Sequence, residues 1–298
     1  MQDLNFNNIK TQPVVNELFS AKNILASVLR LDSLHPVISG NKWFKLRHYI
    51  EEAKKQNKKT IVTYGGAWSN HIVAAACACS LNNLKCIGII RGEEPSVYSE
   101  TLKAAKEYGM EFYFISRNDY RTKELPAGIN VEDVYIIPEG GYGEKGAAGF
   151  ATALEYCDKN NFTHFICAVG TGTMMAGIIK AVSDKQEVIG IPVLKNNPEL
   201  LPAITHLLTS EEQQKKFKLI EGYHFGGYAK QTPKLTGFMN SFYNESGIPT
   251  DFVYTGKLFY AVDRLIQENY FGPGSKILII HSGGLQGNAS LPKGTLIF

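Results

Sequence analysis

The feature that most constrains this chain is an alternation. Short apolar, β-branched runs are separated by segments in which apolar residues recur every three or four positions. The runs Thr60–Tyr64, Cys86–Ile90, Glu111–Ser116, Val134–Ile137, Phe165–Val169, Val188–Ile191 and Lys276–His281 read as strands. Most are bounded by Gly, Asp or Asn, and several are apolar throughout, as a strand covered on both faces must be. Between them, Trp43, Leu46, Ile50 and Ala53 mark one helix face, and the short-chained run Ser69–Ser80 marks another helix. Strands alternating with helices predict an α/β protein of mostly parallel open sheets covered by helices.

A chain of 298 residues holds one large domain or two intermingled ones. Its net charge of +3 is small and spread along the sequence, and nothing points to nucleic acid or a membrane as partner. The lysines at 54, 55, 58 and 59 read as the solvated end of a helix. No apolar run approaches the roughly 20 residues that span a bilayer, and the N-terminal segment lacks a charged-then-apolar leader pattern. A cytoplasmic protein is expected. Cys77, Cys79, Cys86, Cys157 and Cys167 are odd in number and lack paired metal-ligand spacing, so reduced, mostly buried thiols and no metal site are expected.

Gly-rich turns follow three of the strands, at Gly65–Gly66, Gly170–Thr173 and Gly283–Gly284. Ligands of open α/β sheets bind beyond the strands' carboxyl ends, so convergence of these turns predicts a cofactor site between two lobes.

Four segments carry candidate chemistry. In SGNKWFKL, residues 39–46, Lys42 enters a helix after Gly-Asn; projected into a cleft it is desolvated, which frees its amine as a nucleophile. A lone lysine is usually solvated, which is the bland alternative for Lys42, and Lys45, three residues on, is the obvious decoy. In TYGGAWSNH, residues 63–71, two glycines allow a sharp turn and Ser69 or Asn70 caps a helix. Open N–H groups at that helix start suit a substrate carboxylate; plain capping with nothing bound is the equal alternative. In AVGTGTMMAG, residues 168–177, Gly170, Thr171, Gly172 and Thr173 follow a buried strand and open a helix, the geometry of a phosphate cradle. It is neither a Walker loop nor a dinucleotide fingerprint, because no Gly-Lys-Ser/Thr follows and Met175 stands where a third glycine would. Met174 and Met175 read as core. The last set is Tyr228, the run Tyr254-Thr255-Gly256-Lys257, and His281-Ser282-Gly283-Gly284; a lone tyrosine is more often packing than catalysis.

Taken in order, GNK, GG-x-x-SN, the Thr/Gly loop, VY-x-GK and H-x-GG resemble the 1-aminocyclopropane-1-carboxylate deaminase and D-cysteine desulfhydrase family from about Arg30 to Gly284. The resemblance implies a two-lobed, tryptophan synthase β-like (fold type II) enzyme with pyridoxal 5'-phosphate as a Schiff base on Lys42. It implies a large cofactor-binding domain from residues 1–46 plus 152–298 and a small inserted domain, 47–151. Ser69 then faces the substrate with Trp68, Asn70 and His71, and Asn70 stands beside the cofactor's 3-oxygen. Gly170, Thr171, Gly172, Thr173 and Met174 form the phosphate loop, Tyr228 and Tyr254 are active-site tyrosines, and Thr255 meets the pyridine nitrogen, with Ser282 close by. A homodimer acting on a small amino acid is expected from the same likeness.

Two departures bear on the substrate. The cyclopropane deaminases carry glutamate at the position of Thr255 and leucine at that of Ser282, whereas desulfhydrases have small hydroxyl residues at both. A hydroxyl serves a neutral ring, a weaker electron sink that still suffices for a thiolate leaving group. Trp68 replaces a common glutamine. The reading is therefore β-elimination from D-cysteine to keto acid, ammonia and sulfide. Cyclopropane ring opening to 2-oxobutanoate and ammonia is the alternative, and a nicotinamide oxidoreductase or a non-catalytic cofactor-binding protein are rivals of other classes.

Overall fold

The computed structural model describes residues 4–298. Among these lie ten strands: β1 Thr11–Val14, β2 Leu25–Arg30, β3 Thr60–Gly65, β4 Lys85–Arg91, β5 Met110–Ile115, β6 Val134–Ile137, β7 His164–Val169, β8 Glu187–Pro192, β9 Lys216–Leu219 and β10 Lys276–His281. All seven strands read from the sequence are present. β1, β2 and β9 were not legible: β1 and β9 are four-residue edge strands, one carrying Pro13 and the other alternating lysine with apolar residues, and the small residues Ala26 and Ser27 dilute the apolar run in β2.

The strands form two sheets. The larger has the order β1-β2-β10-β7-β8-β9 and the smaller β5-β4-β3-β6. All pairs are parallel except β1 with β2, which pair antiparallel from Thr11 opposite Leu29 to Val14 opposite Ala26. Each central strand of the larger sheet is buried on both faces. Phe165, Cys167, Val169, Leu278 and Ile280 pack toward Phe44, Phe150 and Ile178 on one side. Ile166, Ala168, Ile277 and Ile279 pack toward Leu258, Val262 and Phe19 on the other. That two-sided burial is why these strands are apolar throughout, each large side chain contributing about 1.5–3 kcal/mol.

One helix ties the two sheets together. Asn41–Lys55 begins beside the end of β10 and runs out to the smaller sheet, where Leu46, Tyr49, Ile50 and Ala53 join Ile61 and the helix Asn70–Leu81 in one core. Its first half packs against the helix Glu144–Ala151 so closely that a Cβ at Gly149 would stand 2.2 Å from the Phe44 carbonyl oxygen. Only glycine permits that approach. The chain thus crosses between the sheets on packed helices, and the carboxyl ends of β3, β7 and β10 open toward the same space.

Candidate active site

Lys42 is positioned by the loop after β10. Gly40 sits at φ +62°, and a Cβ on it would fall 1.8 Å from the Ser282 carbonyl oxygen. That oxygen accepts the Asn41 N–H at 3.1 Å, so the Ser282 backbone fixes the start of the helix that bears the lysine. Lys42 Nζ donates to Asn41 Oδ1 at 2.9 Å and lies 5.9 Å from the Tyr254 ring centroid. Burial lowers its pKa to about 8, opposed by the charge of Asp251; about a tenth of the amine is then unprotonated at pH 7.

Lys45 is itself buried. It is 6% exposed, and burial followed by the charge of Lys42 lowers its pKa to about 7. His71, three percent exposed on the helix after β3, is pushed down to about 3 by burial and then by Lys42 and Lys45. Its Nε2 lies 2.8 Å from Thr63 Oγ1, while Nδ1 has no partner. Two amines and an imidazole therefore crowd one buried region, and the charge of Lys42 weighs on both Lys45 and His71. An anion seated there would relieve all three.

The loop after β3 leads into the helix Asn70–Leu81. Ser69 holds the N-cap position, but its side chain makes no capping hydrogen bond, so capping does not account for the serine. Asn70 Nδ2 reaches the Gly284 carbonyl at 3.5 Å, whereas its Oδ1 is buried without a partner. Trp68, 54% exposed, stands on the outer side of this loop. Arg91, at the end of β4, brings an Nη within 3.6 Å of where a Gly66 Cβ would be.

After β7, Gly172 at φ +85° caps the helix Thr173–Ala181 with no side-chain hydrogen bond, leaving that N-terminus open as well. Thr171 and Thr173 turn their hydroxyls to one another at 3.1 Å, and Met174 and Met175 go into the core. The loop Pro138–Tyr142 crosses from the smaller sheet to meet this one: a Cβ at Gly140 would be 3.0 Å from Thr171 Cγ2, and one at Gly141 would be 3.2 Å from Lys45 Cβ.

The remaining wall comes from the segment before the helix Thr255–Gln267. Tyr254 and Tyr228 meet edge to face with ring centroids 6.1 Å apart, and burial raises the pKa of both phenols. Tyr228 lies on a loop with positive φ at Phe225, Gly226, Gly227 and Ala229. The fully buried Lys257 holds that loop by donating to the Gly227 carbonyl at 2.7 Å. Behind Tyr254 sits Asp251, fully buried. Its Oδ2 accepts the N–H groups of Val253 and Tyr254, both at 2.9 Å, and its Oδ1 accepts Thr255 N–H at 2.8 Å and Thr255 Oγ1 at 2.7 Å. Ser282 is buried beside this group and offers its backbone to Asn41.

The structure thus brings Lys42, Asn70, Tyr254, Thr255, Ser282 and the Gly170–Thr173 turn around one space, with Ser69, Trp68 and Tyr228 at its opening. Sequence reading missed Asp251, Arg91 and the burial of Lys45. An Asp four residues before the helix-opening Thr255 is a capping signal that points to the first; a cation ending an apolar strand is a weak pointer to the second.

Comparison with known proteins places the chain as a whole in a family. The family model described as "Pyridoxal-phosphate dependent enzyme" matches residues 11–283. A Thermotoga maritima protein provisionally named a 1-aminocyclopropane-1-carboxylate deaminase is 30% identical over 281 residues, 87% of this chain and 88% of its own. The Arabidopsis thaliana mitochondrial bifunctional D-cysteine desulfhydrase/1-aminocyclopropane-1-carboxylate deaminase is 27% identical over 280 residues, 84% of this chain and 70% of its own. A crystal structure of an ACC deaminase homologue superposes with a TM-score of 0.82 at 25% identity, covering 94% of this chain and 90% of that one.

Proposed function

Because the chain belongs to the pyridoxal-phosphate-dependent enzymes, in the branch of the 1-aminocyclopropane-1-carboxylate deaminases and D-cysteine desulfhydrases, we propose that it carries its cofactor on Lys42 and eliminates the β-substituent of a small D-amino acid, D-cysteine foremost. The observation that carries this reading is the desolvated Lys42 amine over the Tyr254 ring, which itself packs on Gly170 at an open, hydroxyl-bearing helix N-terminus.

The residues fit the cofactor. Asn70 Oδ1 is a buried acceptor with no protein partner, suited to a hydroxyl such as that on the cofactor's 3-position. The Gly170–Thr173 turn offers N–H groups and hydroxyls to a phosphate, and an anionic group there offsets the repulsion among Lys42, Lys45 and His71. Thr255 Oγ1 stands against the ring nitrogen in this reading, with Ser282 and Met174 completing the cradle. When bound, pyridoxal phosphate supplies the electron sink for the pair released at the substrate α-carbon.

The chain does the rest. Open N–H groups at Asn70 and His71 hold the substrate carboxylate, and Trp68 limits the space around the side chain. Lys42, freed by the substrate amine, takes the α-proton as general base. Tyr254, within reach of Lys42, and Tyr228 steer protons to the leaving group together with Ser69. The same reading makes residues 47–151 a small domain inserted into a large one of 1–46 plus 152–298. It also expects a homodimer in the cytoplasm; among the described residues no helix is long and apolar enough to cross a membrane.

A second reading, ring opening of the cyclopropane amino acid, is favoured by the names of the relatives. A substrate panel on purified enzyme, scored for keto acid and sulfide, separates the two. D-cysteine is expected to have the higher kcat/KM, and clear preference for the cyclopropane overturns that choice. Lys42→Ala is expected to abolish the visible absorbance of the bound cofactor. Borohydride reduction and peptide mapping that put the label on Lys45 would overturn the lysine assignment.

A further inference from the structure

We infer that Arg91 is a specificity-determining residue that meets a negative charge on the substrate's β-substituent, so that the substrates include D-cysteine derivatives whose sulfur carries a short acidic group. The inference rests on the elimination reading above and specifies its substrate class.

Strands β3 and β4 run parallel with Gly65 opposite Ile90. One residue on, Gly66 and Arg91 therefore leave the sheet side by side, at the carboxyl ends where ligands of such sheets bind. The guanidinium turns toward the loop that carries Ser69, with an Nη 3.6 Å from where a Gly66 Cβ would stand. The ring of Tyr120 supports it, the guanidinium carbon lying 5.6 Å from the ring centroid, and Tyr120 is itself buried. An aromatic face fixes a cation without cancelling its charge. Glu139, an acid of the same region, is taken by Lys123 at 2.8 Å, and among the described residues no carboxylate pairs with Arg91.

Tyr228 comes to the same opening from the other half of the fold. Burial raises its pKa first, and the charge of Arg91 is among those that pull it back. Tyr228 and Trp68 are 45% and 54% exposed, so an unpaired cation shares the mouth of the site with two aromatic side chains. Lys42 lies deeper, against the ring of Tyr254, which in turn meets Tyr228. With the substrate α-carbon at Lys42, Arg91 therefore stands toward the far end of the β-substituent. D-cysteine is the shortest member of the class, its sulfur leaving as thiolate into a field of positive sign. A carboxylate carried just beyond the sulfur reaches the guanidinium directly.

In that elimination the α-proton goes to Lys42, the C–H pair becomes the Cα–Cβ double bond, and the Cβ–S pair departs on sulfur. Water then converts the enamine to keto acid and ammonia. Arg91 holds the acidic group before and after the bond breaks, so its effect falls mainly on KM.

The test compares kcat/KM of the holoenzyme for S-carboxymethyl-D-cysteine and for its neutral isostere S-carbamoylmethyl-D-cysteine, scored as keto acid. The wild type is expected to favour the acid at least about fivefold, the upper worth of an exposed ion pair, with the margin shrinking in about 1 M salt. Arg91→Gln is expected to bring the ratio to about one, and Arg91→Lys to keep part of it. A folding defect lowers both substrates alike and leaves the ratio, which therefore reads the guanidinium itself. Equal kcat/KM for acid and amide in the wild type, a preference retained in Arg91→Gln, or turnover of neither thioether overturns the inference. D-cysteine is run alongside: if it alone gives keto acid and sulfide, the elimination reading stands without the inference, and if it too gives none, both fall.

Discussion

Lys45→Met tests whether the crowding of cations in the site is real. Folding takes the Lys45 ammonium from its ordinary pKa of 10.5 to about 7, with burial as the first cause and Lys42 as the second. At roughly 1.4 kcal/mol for each tenfold change in the protonation equilibrium, that depression costs up to about 5 kcal/mol while the lysine stays charged in both states. The sign follows from proton counts. Below pH 7 both states hold the proton and the full cost is present. From about pH 7 to 10.5 the folded state has lost the proton and the unfolded state keeps it, so stability recovers with pH. Methionine has similar length and no charge, and its removal of repulsion also eases His71. The cofactor-free variant should therefore be more stable than the wild type by a few kcal/mol at pH 6, with the advantage shrinking steadily toward pH 10. Urea unfolding of both proteins across that range measures it, since titrations common to both cancel in the difference. A difference that is flat with pH, or a variant less stable at pH 6, would show that Lys45 does not carry a suppressed charge in the fold. Adding pyridoxal phosphate should narrow the gap, because its anion offsets the repulsion only in the wild type.

Gly40→Ala should lose several kcal/mol and the cofactor absorbance together, since its Cβ would fall 1.8 Å from backbone at a positive φ; thermal melts and absorbance spectra read both, and a melt within a degree or two of wild type refutes it. Ser69→Ala should leave stability within about 0.5 kcal/mol, because the hydroxyl makes no capping bond, while kcat/KM falls at least about tenfold; equal loss of stability would mark the serine as structural. Lys257→Met should raise KM and lower kcat by loosening the loop of Tyr228, yet leave the cofactor spectrum unchanged; an altered spectrum would move Lys257 into the cofactor site.

The sequence was most legible where one physical demand writes a pattern. Central strands buried on two faces must be apolar, and β3, β4, β7, β8 and β10 are. Turns after β3, β7 and β10 need glycine to bring backbone toward a ligand, and the motifs there stand out. β1 carries Pro13 and β9 alternates lysine with apolar residues, which hid them, whereas the equally short edge strand β6 is apolar throughout and stood out. Asp251 was hidden for another reason. Its significance lies in which hydrogen bonds it accepts, and a lone Asp before a helix reads the same whether it caps in solvent or serves a site. Lys45 shows the limit most clearly: it lies on the same helix as Lys42, three residues on, and no local pattern distinguishes a solvated lysine there from one 6% exposed.

The helix Asn41–Lys55 spans about 22 Å at 1.5 Å per residue, with Lys42 in its first turn and the smaller sheet packed along its far half. It is a lever with Lys42 at the fulcrum. A swing of the smaller sheet about the foot of this helix would sweep Ser69 and Trp68 through an arc of several ångströms while moving Lys42 little, because Ser282 pins that end by accepting the Asn41 N–H. In the proposed reading the two ends then differ in kind: the Lys42 end is a fixed anvil, and the Ser69–Trp68 loop an adjustable jaw. Changes of specificity should accumulate on the jaw, where residues can shift without disturbing the bond on the anvil.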